Sequence, residues 1–94
     1  NVPIDVKELN VDLMSMSSHK IYGPKGIGAL YIKTGTKLHS FVHGGAQERR
    51  RRAGTENMPS IVGYGKAAEL AKTNMDEHIE RLTSLRTKLI DGIL

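Results

Sequence analysis

Lys20 closes the run Ser15-Met16-Ser17-Ser18-His19-Lys20 and stands directly before Ile21-Tyr22-Gly23-Pro24-Lys25-Gly26. An apolar stretch ends there and a glycine-rich turn begins, a place where an amine is expected to be partly desolvated yet still open to a ligand. Partial burial disfavours the ammonium form and frees the lone pair, so Lys20 is a candidate Schiff-base nucleophile. Two hydroxyls and an imidazole precede it, donors of the kind an anionic phosphate needs. The plain alternative is a lysine that snorkels from a strand end. The apolar strand before Lys20 and the Gly-Pro turn after it weigh against that alternative.

Other residues with chemical potential are less specific. Arg49-Arg50-Arg51-Arg52 is a basic run of the sort found on nucleic-acid surfaces or on a solvated face. Few aromatic residues accompany it, which argues against a stacking platform for single strands. His39 and His43 lie four apart in polar, glycine-rich surroundings without a third donor, and His78 is remote, so no metal site is expected. Gly23, Gly26 and Gly28 miss the spacing of a dinucleotide loop, and a strand rather than a helix is expected after them.

Two longer motifs stand in order along the chain. The first is S-x-S-x-H-K-x-x-G-P-K-G-x-G-A-L-Y from Ser15 to Tyr31, and the second runs from His43-Gly44-Gly45-Ala46-Gln47-Glu48-Arg49 to Arg52-Ala53-Gly54-Thr55-Glu56-Asn57. Together they resemble the large domain of the cysteine desulfurases (NifS/IscS-like), class V, fold-type I enzymes that use pyridoxal 5'-phosphate. The resemblance extends over nearly all of the chain. It implies that Lys20 holds the cofactor as a Schiff base and shuttles a proton at the substrate α carbon. It implies further that Ser17 and His19 contact the cofactor phosphate, and that Thr55 reaches the partner subunit's cofactor across a homodimer interface. Strand alternation is expected to aim Ser17 and His19, two apart, at one anion. Ser15 is read as structural, and Ser18 points away and receives no role. Within the second motif only Arg49 and Arg52 fall on named positions, leaving Arg50 and Arg51 as surface charge.

The activity implied is conversion of L-cysteine to L-alanine, with sulfur passed to an enzyme cysteine for iron-sulfur cluster or thiolation pathways. A sulfur-acceptor or scaffold protein is then a partner, and the compartment is cytoplasmic. No cysteine occurs among the 94 residues, so the sulfur-accepting residue is expected elsewhere. The ring-stacking histidine, the aspartate facing the pyridine nitrogen and the substrate-binding arginine are expected elsewhere too. The alternatives are a selenocysteine lyase or an aminotransferase of the same class, and, from another class, a basic nucleic-acid-binding module.

The elements that position these residues follow from pattern. Residues 1–94 are read as a single partial domain of α/β class: two neighbouring strands, a long glycine- and arginine-rich loop, then a long C-terminal helix. Asp5 is expected to cap a helical turn after Pro3. Val11 to Ser17 carries apolar residues on both parities, as in a strand covered on both faces. Ile27 to Lys33 predicts a second strand, antiparallel to the first. Residues 38–57 lack periodicity and read as a functional loop. Residues 58–94 recur apolar at threes, fours and one five, through Ile61, Tyr64, Ala68, Ala71, Met75, Ile79, Leu82, Leu85, Leu89 and Leu94, toward a small domain expected beyond. Asn57 or Ser60 is expected to cap this helix. So long a helix is expected to bend near Gly63 and Gly65 or near Thr73-Asn74.

The formal charge of +4 is unevenly placed, since residues 21–55 hold seven basic side chains and one acidic one. That field favours a phosphate or a carboxylate there. No apolar run approaches the roughly 20 residues a bilayer requires, so neither a membrane span nor a signal peptide is expected.

Overall fold

The computed structural model describes residues 2–94. A first turn of helix, α1 (Val6–Leu9), starts where Asp5 accepts backbone hydrogen bonds from Lys7 (2.9 Å) and Glu8 (3.2 Å). It stops at Asn10, which takes up a left-handed conformation (φ 50°), one that the short polar side chain of asparagine tolerates.

Strands β1 (Leu13–Ser17) and β2 (Gly28–Ile32) pair antiparallel, in a register from Leu13 opposite Ile32 to Ser17 opposite Gly28. A side chain at position 28 would stand 2.7 Å from the Met16 carbonyl oxygen, so glycine is what lets the strands close at the Ser17 end. Leu13, Met16 and Leu30 remain exposed. The cover that their two-faced pattern calls for does not come from these residues.

The glycine- and arginine-rich loop is less featureless than its composition suggests. It contains one tight turn, α2 (Gln47–Arg50), in which Glu48, Arg49 and Arg50 have φ of 45°, 55° and 64°. Left-handed torsions cost a non-glycine residue roughly 1–2 kcal/mol each, so the loop must hold this turn by other bonds. Ser40 Oγ lies 2.9 Å from the Arg51 carbonyl and 3.0 Å from that of Val42, and the Ala53 N–H donates to Val42.

Two helices complete the chain, α3 (Met58–Thr73) and α4 (Met75–Ile93), where the periodicity reads as one. Asn57 caps α3 through Ser60 N at 3.4 Å, and Pro59 occupies the first turn, where its missing donor costs nothing. The break falls at Asn74, one of the two expected places. Hydrogen bonding runs through it, with Asn74 N donating to Leu70 and His78 N to Asn74, each at 3.0 Å. Gly63 and Gly65 sit inside unbroken helix. Of the two, Gly63 serves a packing contact.

Candidate functional site

β1 ends at Ser17, and the next four residues, Ser18–Ile21, form one turn of 3-10 helix that presents Lys20. Ser18 N donates to the Ile27 carbonyl at 3.2 Å, while the Ser18 carbonyl accepts from Gly23 N at 3.0 Å. Tyr22 closes the turn in a left-handed conformation, φ 66°. With three residues per turn, positions 18 and 21 share a face. Ser18 is fully buried, and Ile21 borders a groove against α3 and α4. His19 and Lys20 consequently face outward and are exposed, with Ser17 half-buried beside them.

Two expectations change here. Strand alternation does not reach His19, because the pleat stops at Ser17 and a 3-10 turn begins at Ser18. Lys20 is exposed rather than partly buried, because the turn sends it away from the apolar residues that precede it. The one ion pair among the described residues joins Lys66 to Glu69 on α3. Lys20 therefore has no carboxylate partner there.

The turn seats on α3 through small residues. A Cβ at Gly23 would overlap Ser18 Oγ and stand 3.1 Å from Ala67 Cβ; a Cβ at Gly63 would stand 2.6 Å from Pro24 Cγ. Gly63 and Ala67 are four apart and so share one helix face. The sequence reading missed this contact because it followed bulky apolar residues, which led it to Ala68, exposed here, past buried Ala67. The legible signal was the pair of small residues at i and i+4.

The groove beside the seat measures about 280 Å³ and is lined by Ile21, Tyr22, Ala67, Leu70, Met75 and His78, among others. Across it the rings of Tyr22 and His78 approach to 6.2 Å between centroids, tilted by 59°. A second hollow, about 220 Å³, lies against the loop at Ser40, His43, Gly44, Gly45 and Arg50.

Thr55 belongs to that loop and not to the turn. It is exposed and follows Gly54, whose φ of 100° few other residues adopt. Gly54 N donates to Gln47 Oε1 at 3.1 Å, tying the segment before Thr55 back to the left-handed turn. Arg49 to Arg52 are all exposed. Among the described residues no three of His, Cys, Asp or Glu gather as metal ligands, and no helix is long and apolar enough to cross a membrane.

The family model for aminotransferase class V matches residues 1–94, the whole chain. The chain belongs to the class-V aminotransferase family. A cysteine desulfurase IscS of Clostridium botulinum (strain Hall) is 61% identical over 93 residues, covering 99% of this chain and 23% of that protein. Among solved structures, a NifS-like protein superposes with a TM-score of 0.92 at 42% identity, over 98% of this chain and 25% of that one. SspA in complex with cysteine gives a TM-score of 0.67 at 42% identity, over 83% of this chain and 25% of that one. This class-V chain thus spans about a quarter of the length of the proteins it matches.

Class-V aminotransferases use pyridoxal 5'-phosphate, and the donors here fit such a group chemically. An aldehyde calls for an accessible amine, which exposed Lys20 could offer; a phosphate calls for hydroxyl and imidazole donors, which Ser17 at the end of β1 and His19 in the turn could offer.

Proposed function

We propose that the parent protein of this class-V chain is a pyridoxal-phosphate-dependent cysteine desulfurase, to which these residues contribute the lysine turn and a dimer-crossing loop. The observation that carries this reading is the outward display of His19 and Lys20 on a turn seated against α3, in a chain 61% identical to a cysteine desulfurase. The reaction takes L-cysteine and an enzyme thiol to L-alanine and an enzyme persulfide. No cysteine lies in this chain, so the accepting thiol belongs to another part of the parent.

When bound, the cofactor supplies an aldehyde for covalent attachment and a ring that accepts electron density from the substrate α carbon. Lys20 provides the amine for that attachment and, once displaced by substrate, carries a proton to and from the α carbon. Ser17 and His19 hold the phosphate and so fix the ring relative to Lys20. Thr55, on the tethered segment after Gly54, extends to the phosphate of the second subunit's cofactor, which makes the enzyme a homodimer with composite sites. L-cysteine as the substrate is supported by SspA, a structural neighbour whose structure is in complex with cysteine. Transfer of the persulfide sulfur to an acceptor or scaffold protein, in the cytoplasm and toward iron-sulfur clusters, completes the reading.

The test is made on the full-length parent with its cofactor. L-cysteine is expected to yield alanine, with sulfide released when a dithiol is added. Lys20→Ala is expected to lower the rate about a thousandfold and to abolish borohydride trapping of the cofactor on the peptide containing position 20. Trapping on a different lysine overturns the proposal.

A further inference from the structure

We infer that Gly23 is a positioning residue: the room left by its missing side chain, filled by buried Ser18 and bounded by Ala67, seats the turn on α3, and this seat sets the aim of Lys20. The inference rests on the reading of Lys20 as the amine that takes the cofactor. Ser18 is the one fully buried side chain among the described residues, and its Oγ has no hydrogen-bond partner. A buried hydroxyl without a partner is unfavourable by itself. What holds it is therefore shape. The space it fills is the space a Cβ on Gly23 would take, with Ala67 Cβ and the Ser18 carbonyl as the other walls, each 3.1 Å from that point.

Gly23 has no left-handed torsion, so it is needed for room and not for backbone freedom. Pro24 extends the same fit by pressing on Gly63, one helical turn before Ala67. Three close approaches, Ser18 to Gly23, Gly23 to Ala67, and Pro24 to Gly63, thus seat the turn against α3. Because Ser18 and Lys20 are two apart in a single 3-10 turn, tilting the first moves the second. The rival idea, that the Ser18 hydroxyl binds the cofactor, conflicts with its complete burial.

The decisive experiment is a size exchange in the full-length holoenzyme. Borohydride trapping on position 20, and the wavelength and pH midpoint of the visible band of bound cofactor, are measured alongside the thermal midpoint. Ser18→Ala is expected to leave trapping unchanged within about twofold and the band's wavelength and pH midpoint unmoved, because only an unpartnered oxygen is removed. Gly23→Ala is expected to lower trapping about tenfold and to move the band's pH midpoint, since overpacking displaces the turn. Joining the two changes puts the new methyl where the oxygen was and is expected to regain most of the loss.

Loss of trapping in Ser18→Ala alone overturns the inference, because the hydroxyl then acts directly. So does a double variant as impaired as Gly23→Ala, or a Gly23→Ala protein indistinguishable from wild type. If Gly23→Ala does not fold, Ser18→Thr is read in its place with Ala67→Gly as the compensating change, and unaltered trapping in Ser18→Thr is fatal. The wild-type and Lys20→Ala trapping experiments report separately on whether Lys20 is the attachment site.

Discussion

At the scale of single residues, neighbours in sequence divide their labour by the direction in which a short turn sends them. Ser17 and His19 meet solvent with Lys20, whereas Ser18 between them is buried. Ser17→Ala and His19→Ala are each expected to weaken cofactor binding by the parent about 10- to 100-fold, the loss of one hydrogen bond to a charged group. Fluorescence titration with pyridoxal phosphate measures it, and an unchanged dissociation constant in either variant rejects that residue as a phosphate donor. In the loop, Gly54 at φ 100° predicts that Gly54→Ala destabilises the parent by about 1–3 kcal/mol in urea. No such loss would mean that the segment before Thr55 relaxes without strain. Lys20, Ser17 and His19 stand out in the sequence as candidates because a lysine at a strand end beside hydroxyls and an imidazole is a local pattern. The way each one faces is not legible there, because strand and 3-10 periods diverge after Ser17 and nothing in the spacing marks the change.

Among elements, the comparison between pattern and structure turns on α3. Both strands, their antiparallel pairing, the caps at Asp5 and Asn57 and the break at Asn74 follow from turn residues and periodicity. The notch does not, because a glycine inside a helical pattern signals a bend and a packing contact equally well. Gly63 and Gly65 resolve that ambiguity experimentally. A methyl group at position 65 meets nothing within 4 Å, whereas one at 63 meets Pro24. Gly65→Ala is therefore expected to stabilise the parent by about 0.4–1 kcal/mol through reduced unfolded-state entropy. Gly63→Ala is expected to destabilise it by about 1–3 kcal/mol through overpacking. Denaturant midpoints distinguish the two, and equal shifts of the same sign would mean that Pro24 does not press on α3.

As a whole molecule, the chain exposes far more than its length requires. Its accessible surface is 8196 Å², against roughly 5,400 Å² for a compact globular chain of this size. The radius of gyration is 17.3 Å, where about 12 Å is usual. Ala53 and Ala67 are its only buried apolar residues among those described, while Leu82, Leu85 and Leu89 along α4 are 48%, 52% and 64% exposed. The matched relatives are some four times longer, and in such a protein or against a second subunit the stripe is expected to be covered. The isolated chain is accordingly expected to release neither alanine nor sulfide from cysteine, even with cofactor added, and to self-associate with concentration in sedimentation velocity. Leu85→Lys then acts with opposite sign in the two settings. In the isolated chain it interrupts the apolar stripe and keeps the species monomeric. In the parent it removes about 2 kcal/mol of leucine burial and adds the cost of a desolvated ammonium, so the thermal midpoint falls. A parent unaffected by Leu85→Lys would show that α4 faces water there as well, and that the stripe is not a buried surface of the parent.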